Sequence, residues 1–259
     1  MTISFATYNI WFDKFEQVNR LNNIIKEIIE HTPRLTVIAL QEVTLFSYTY
    51  LQKSELTKYY NISTNINFNE CIYDNIFLVD KKYNYENVFN KKFGYTKMNR
   101  YLRGIKVKKN DFSLLIFTSH LESEFKKNTP NIYKIEQFKN AFSFIDSESN
   151  TDKYSLVIFM LDTNILSSED DLFKIPPKWK DFFIEFGSPR FLEYTYDYTK
   201  NNNIKGSYKS RLDRIYYKNM NNNFEPSSFS FLGKEPFNDL YSSDHFGLVA
   251  SFDPSVLKI

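Results

Sequence analysis

Apolar runs of β-branched or aromatic character, each adjoining a polar string, constrain this chain more than any other feature. Ile3 to Tyr8, Leu35 to Leu40 and Leu156 to Leu161 have the length and composition of buried strands. They run directly into Asn9, Gln41-Glu42 and Asp162-Thr163-Asn164, while Ser243-Asp244-His245 opens a fourth run, Phe246 to Phe252. A carboxylate at the end of a buried strand is costly unless something pairs with it. Laid side by side, the four runs gather carboxylates, amides and an imidazole at one end of a sheet.

The first string, Thr7-Tyr8-Asn9-Ile10 in full, begins at Thr7 and the last ends at His245, so one site draws on nearly all 259 residues. That reach predicts a single catalytic domain over residues 1–259, with Asn201-Asn202-Asn203 and Asn219 to Asn223 as polar turns and not linkers. The 26 Phe and 19 Tyr can fill a large core, and a net charge of +2 leaves nucleic-acid steering to local patches. Lys106, Lys108 and Lys109 form one such patch, and Lys205, Lys209, Arg211 and Arg214 another, with a plain solvated face as the alternative for each lysine. No run approaches the roughly 20 apolar residues of a membrane span, and no secretion signal opens the chain. An intracellular protein of the nucleus or cytoplasm is expected, without a membrane partner and acting as a monomer. The lone Cys71 has no internal disulfide partner and reads as a small buried hydrophobe.

Periodicity orders the rest. Val18, Leu21, Ile24, Ile25, Ile28 and Ile29 predict a helix entered through a capping box of Asp13 and Glu16. A second helix is predicted over Thr44 to Tyr59, and Asn61 to Phe117 reads as short strands of an antiparallel or mixed sheet. Thr129-Pro130 should start a third helix lined by Ile132, Ile135, Phe138, Phe142 and Ile145. A short helix around Trp179 to Phe186 and strands at Leu212 to Tyr217 and Phe229 to Leu232 complete an α/β pattern in which helices cover packed sheets.

Hydrolysing a phosphodiester needs charge neutralisation, a positioned water and stabilisation of the leaving oxygen. Glu42 is the strongest candidate metal ligand, and Mg²⁺ suits it because that ion takes oxygen ligands; an arginine-paired or solvated acid is the alternative. Asp162 is placed to accept a proton from the attacking water, with Asn164 holding that water or a phosphate oxygen. His245 is expected to donate to a nonbridging oxygen while Asp213 holds its other nitrogen, the alternative for Asp213 being a local pair with Arg211 or Arg214. His120 closes another strand-like run and is expected at the same phosphate. His31 lies near a helix end and is expected at the surface.

These residues, together with Thr96-Lys97-Met98-Asn99-Arg100, Thr118-Ser119-His120-Leu121-Glu122-Ser123, Tyr194-Thr195-Tyr196-Asp197 and Arg211-Leu212-Asp213-Arg214-Ile215, resemble the endonuclease/exonuclease/phosphatase superfamily. Within it the chain is similar to the type 2 tyrosyl-DNA phosphodiesterases from about Thr7 to Phe252. The resemblance implies a four-layer α/β/β/α sandwich of the DNase I-like type. It implies cleavage of the bond between a topoisomerase II tyrosine and a DNA 5′-phosphate in DNA repair, with single-stranded ends and, by the same chemistry, tyrosyl-linked RNA as substrates. It assigns Asn9, Glu42, Asp162, Asn164 and His245 to catalysis, Mg²⁺ (or Mn²⁺ in its place) to Glu42 with Asp244, and supporting roles to Asp213 and Asp244. Arg100, Ser119 and Tyr196 are the expected substrate contacts.

Two departures stand out. The family usually has Gly before Asp-Thr-Asn and Arg two residues after that Asn, where this chain has Leu161 and Leu166. A side chain is thus expected beside the site backbone, and one phosphate contact is missing unless Arg100 or Arg103 supplies it. The competing readings are another hydrolase of the superfamily, such as an abasic-site endonuclease or a deadenylase, and a silent nucleic-acid-binding module. The intact set Asn9, Glu42, Asp162, Asn164, Asp213 and His245 speaks against the last.

Overall fold

Strands that are apolar at nearly every position must be covered on both faces, and here they are. The computed structural model describes residues 2–63, 68, 71–109, 112–123, 131–150, 154–221 and 224–254. The chain runs through β1 (Ile3–Asn9), α1 (Gln17–Glu30), β2 (Val37–Thr44), α2 (Leu45–Lys53), α3 (Leu56–Tyr59), β3 (Tyr60–Ile62), β4 (Tyr73–Asp80), β5 (Asn84–Lys92), β6 (Tyr101–Lys109) and β7 (Phe112–His120). It continues through α4 (Ile132–Ser149), β8 (Leu156–Asp162), β9 (Lys180–Asp181), α5 (Phe182–Glu185), β10 (Tyr196–Asp197), β11 (Lys209–Ser210), β12 (Asp213–Asn219), β13 (Phe224–Leu232) and β14 (Gly247–Pro254). Two six-stranded sheets, β13-β14-β1-β2-β4-β3 and β5-β6-β7-β8-β12-β9, face each other, and β10 pairs with β11 in a separate ribbon.

Period-two alternation builds the layers. Ile3 and Phe5 of β1, Val37 and Ala39 of β2, and Leu156, Ile158 and Met160 of β8 meet in the seam between the sheets. Ala6 and Tyr8 with Ile38 and Leu40 point the other way, onto Leu21, Ile24 and Ile28 of α1 and Leu51 of α2. Val157, Phe159 and Leu161 point outward onto Phe138, Phe142 and Ile145 of α4. At about 1.5–3 kcal/mol for each fully buried large side chain, these three cores outweigh any single polar contact in holding the sandwich together. This is the α/β/β/α architecture expected above. Among the described residues no helix is long and apolar enough to cross a membrane.

Local expectations differ from the structure where capping decides. The Asp13–Glu16 capping box does not form: Glu16 precedes α1 at φ 47 without a side-chain cap, and Asp13 Oδ1 accepts from Phe15 N instead. Val18 lies on the exposed side of α1. The predicted Thr44–Tyr59 helix divides because Ser54 Oγ donates to Leu51 O and accepts from Leu56 N, ending α2 and starting α3. Thr129-Pro130 lies outside the described residues, and the cap of α4 is Asn131, whose side chain accepts from Tyr133 N and Lys134 N. Between Trp179 and Phe186 the short helix is confined to α5, because Lys180 and Asp181 pair with Tyr217 and Tyr216 of β12. Cys71 is half-exposed, not buried.

Candidate active site

The seam between the sheets turns polar at one end. Gln41 Nε2 donates to Thr7 Oγ1 at 3.0 Å and to Thr118 Oγ1 at 3.1 Å, joining β1, β2 and β7 across the two sheets. Beyond this layer, strand register sets two rows side by side: Asn9 pairs with Gln41 in one sheet, and His120, Asp162 and Asp213 lie abreast in the other. Asn9, His120, Asp162 and Asp213 share the parity of the seam residues, so all four point inward. Asn9 Nδ2 closes the gap between the sheets by donating to Asp162 Oδ2 at 2.9 Å.

Glu42 reaches the same place by breaking the alternation. The β2–β4 register shifts between Leu40 and Val43, and Glu42 sits in this bulge at φ 60. A bulge re-aims one side chain at the cost of local strain. Glu42 Oε2 accepts from Phe12 N at 3.0 Å. Asn164, at φ 52, turns the chain after β8 so that its N–H reaches Asp162 Oδ1 at 2.9 Å and its Nδ2 reaches Leu121 O at 3.0 Å.

Charge divides the two histidines. His245 Nδ1 lies 2.7 Å from Asp213 Oδ2. Burial alone would lower its pKa, but Asp213 and then Asp162 raise it well above the ordinary value, so the ring is an imidazolium. His120 is its opposite: burial and the neighbouring Arg100 guanidinium lower it to about 3. The neutral ring accepts at Nδ1 from Arg100 Nη1 at 3.0 Å and turns its Nε2 proton toward Asp162 Oδ2, 3.4 Å away. Burial pushes Asp162 up, yet His120, His245 and the Asn9 and Asn164 N–H groups together hold it below the usual carboxylate range.

The donor set fits a divalent cation. Burial, then the charge of Asp244, pushes Glu42 up to about 7, and burial raises Asp244 against the pull of His245. Glu42, raised by the charge of Asp244, and Asp244, raised by that of Asp162, are carboxylates crowded by negative charge, oxygen donors of the kind hard cations take up. Asp162, Asp213 and His245 also offer ligand atoms within 4.8 Å of one another. That trio is the weaker cage, because Asp213 occupies His245 Nδ1 and the ring is cationic.

Other expected residues fall into place or out of it. Arg100 lines the site: it is buried, its Cζ lies 5.3 Å from the Tyr73 ring centroid, and its Nε has no partner among the described residues. Tyr196 meets His245 edge to face at 5.3 Å and stacks on Tyr208 at 4.9 Å. Ser119 does not reach the site. It has the parity of Leu115 and Phe117, faces away from the seam, and donates to Tyr101 O at 2.9 Å. Arg103 is ion-paired with Asp74. Arg211 and Arg214 pair with Asp181 and Asp170 and not with Asp213, which removes them as open phosphate contacts. Lys106 to Lys109 pair with Phe112 to Leu115 at the start of β7, the end remote from His120.

Several supports carry no motif of their own. Thr195 Oγ1 accepts from Leu212 N and Asp213 N. Asn201 and Asn203, read above as turn residues, both donate to Ser243 O and so fix the segment that presents Asp244 and His245. Buried Lys134 donates to Asn164 O at 2.7 Å and to Glu169 Oε2, which also accepts from Leu166 N. The Glu122 carboxylate accepts from Lys97 N and Met98 N, shaping the turn that leads to Arg100.

Leu161 is explained by parity. Its side chain belongs to the α4 core and not to the site. Leu161→Gly is therefore expected to lower stability by about 3–5 kcal/mol, from a lost buried side chain and a freer backbone, with turnover of the folded fraction unchanged. Urea unfolding beside single-turnover rates checks this, and a faster Gly variant would contradict it.

Residues 6–245 match the endonuclease/exonuclease/phosphatase family. The chain belongs to that family. Within the endonuclease/exonuclease/phosphatase family its 29% identity to the Mus musculus tyrosyl-DNA phosphodiesterase 2 over 97% of this chain and 66% of that protein, with the further relative below, places it in the tyrosyl-DNA phosphodiesterase 2 branch. The chain is 30% identical to the Rattus norvegicus tyrosyl-DNA phosphodiesterase 2 over 97% of its own length and 67% of the relative's. It thus spans about two thirds of that curated relative. Truncated Caenorhabditis elegans tyrosyl-DNA phosphodiesterase 2 has the same fold, with TM-score 0.84 at 22% identity over 97% of this chain and 98% of that one. The D. rerio enzyme, solved with a single-strand DNA product, gives TM-score 0.82 at 22% identity over 97% and 99%.

Proposed function

We propose that this chain is a Mg²⁺-dependent 5′-tyrosyl-DNA phosphodiesterase, hydrolysing the bond between a topoisomerase II tyrosine and a DNA 5′-phosphate as one catalytic domain inside the cell. The observation that carries the reading is the joining of both sheets at one site, Asn9 to Asp162 and His245 to Asp213, in a chain of this branch. The bound product in the D. rerio enzyme supports single-stranded DNA ends as substrate.

Glu42 and Asp244 would hold the cation, which when bound neutralises phosphate charge and the charge developing on the departing oxygen. The remaining work falls to the chain itself. Asp162, kept ionised, orients the attacking water and draws on its proton, while Asn9 fixes the carboxylate. His245, kept protonated by Asp213, donates from Nε2 to a nonbridging oxygen, and His120 and the unpartnered Arg100 Nε add neutral and cationic donors to the same phosphate. Tyr196 offers a ring face to a base. A phenol, with a pKa near 10, leaves more readily than a sugar hydroxyl, so no strong acid is needed on that side. Tyrosyl-linked RNA presents the same bond.

The test is turnover of a single-stranded oligonucleotide bearing a 5′-phosphotyrosine, with Mg²⁺ and then with EDTA, beside an abasic duplex and poly(A). Metal-dependent release of a 5′-phosphate end from the first substrate alone is expected. Cleavage of only the others would move the activity elsewhere in the family, and silence on all three would leave a binding protein.

A further inference from the structure

One buried arginine stands outside every motif above. Arg20, on the first turn of α1, is 1% exposed, and among the described residues no carboxylate lies within ion-pair distance. A buried charge without a counter-ion is costly and needs compensation by hydrogen bonds. Arg20 finds all its hydrogen bonds in main-chain oxygens, and the nearby charges of Asp244, Asp13 and Glu42 favour its charged form against burial. Nε donates to Phe15 O at 2.8 Å, Nη1 to Ile10 O at 3.1 Å and Ser242 O at 3.3 Å, Nη2 to Asp13 O, and both Nη atoms to Trp11 O at 3.4 Å. The guanidinium has five N–H donors, and five carbonyls surround it. The Trp11 ring covers its face at 4.5 Å.

These carbonyls belong to the two segments that flank the metal ligands. Residues 10 to 15 follow Asn9 and present Phe12 N to Glu42. Ser242 precedes Ser243, whose Oγ donates to Asn9 O at 2.6 Å and accepts from His245 N, and then Asp244. One rigid fork therefore ties the Glu42 side of the site to the Asp244 side, across 222 residues of sequence.

We propose that Arg20 is a positioning residue for the metal site: it sets the separation of Glu42 and Asp244 by clamping residues 10–15 to Ser242. The proposal rests on the reading of Glu42 and Asp244 as metal ligands. Lysine keeps the charge at position 20 but has a single donor atom and no fork, so it cannot hold both segments at once.

The experiment titrates Mn²⁺ by calorimetry and Mg²⁺ in the turnover assay for wild type, Arg20→Lys, Glu42→Ala and Leu21→Ala. The last variant destabilises the same helix from its core face and removes no hydrogen bond to either segment. Arg20→Lys is expected to weaken Mn²⁺ binding about tenfold and raise half-saturating Mg²⁺ to match, and to bind product oligonucleotide in EDTA as wild type does. Leu21→Ala should melt earlier with metal affinity unchanged. If Arg20→Lys does not fold, Trp11→Leu takes the indole off the guanidinium and is expected to shift metal affinity about threefold in the same direction. Wild-type metal affinity in the folded position-20 variant, or an equal loss in Leu21→Ala, overturns the proposal. Wild-type binding that survives Glu42→Ala overturns the metal reading beneath it.

Discussion

Glu42→Gln is expected to lower turnover of a 5′-phosphotyrosyl oligonucleotide by about 10³-fold or more while making the metal-free protein more stable. Charge neutralisation at a metal site is worth several kcal/mol in the transition state, and each tenfold in rate is about 1.4 kcal/mol. Glutamine keeps the shape and leaves an acceptor for Phe12 N, so the bulge in β2 survives. The stability effect has a definite sign. The folded-state pKa of Glu42 is pushed up to about 7, above its unfolded value, first by burial and then by Asp244. The folded protein thus binds more protons than the unfolded one between about pH 4.5 and 7, and its stability falls as pH rises through that window. In EDTA the wild type should melt lower at pH 8 than at pH 6, and Glu42→Gln should flatten that dependence. Mg²⁺ should raise the wild-type melting temperature and leave the variant unmoved. Equal Mg²⁺ stabilisation of both proteins would sink the assignment of Glu42.

How much of this was legible in the sequence depended on whether a residue's partner was a strand end or a distant main-chain carbonyl. Asn9, Asp162, Asp213 and His245 could be found because each sits at one end of an apolar run, Asn9 and Asp162 where a run stops and Asp213 and His245 where one begins, and these ends come together on neighbouring strands. Ser119 misled for the same reason. It closes the same run as His120, but β7 is apolar on both faces, Leu114 and Ile116 toward the seam and Leu115 and Phe117 toward α4, so alternation alone does not say which parity carries the site. Strict alternation also sends Glu42 to the wrong face of β2, and only the bulge returns it. Arg20, Asn201 and Asn203 were invisible because they bond backbone oxygens of Ser242 and Ser243, which have no side-chain signature. The asparagine-rich stretch read as a turn by composition is a turn, and it also clamps the catalytic segment.

Asp213→Asn is expected to lower turnover at pH 8 by about 10²–10³-fold and to give part of it back at pH 6. The reason lies in the 2.7 Å contact to His245 Nδ1. Burial pulls the His245 pKa down; Asp213, ahead of Asp162 and Asp244, more than reverses that. A histidine whose folded pKa is raised contributes stability that is fully present below its unfolded pKa, near 6.5, and is lost as pH rises through the folded value. In the wild type the imidazolium therefore persists to higher pH than an ordinary histidine would allow. With asparagine in place of the carboxylate, burial and the two remaining acids are left to set the balance, and the ring loses its proton earlier. The alkaline limb of the rate profile should move to lower pH, whereas a residue that merely packs would scale the whole profile without shifting it. His245→Gln, having no proton to lose, should show no such limb, and the double variant should be no slower than His245→Gln alone, because the two residues act as one unit. Rate profiles of the four proteins from pH 5.5 to 9 at saturating Mg²⁺ decide it: a profile for Asp213→Asn parallel to the wild type, or losses that multiply in the double variant, would separate the pair and remove His245 as a protonated donor.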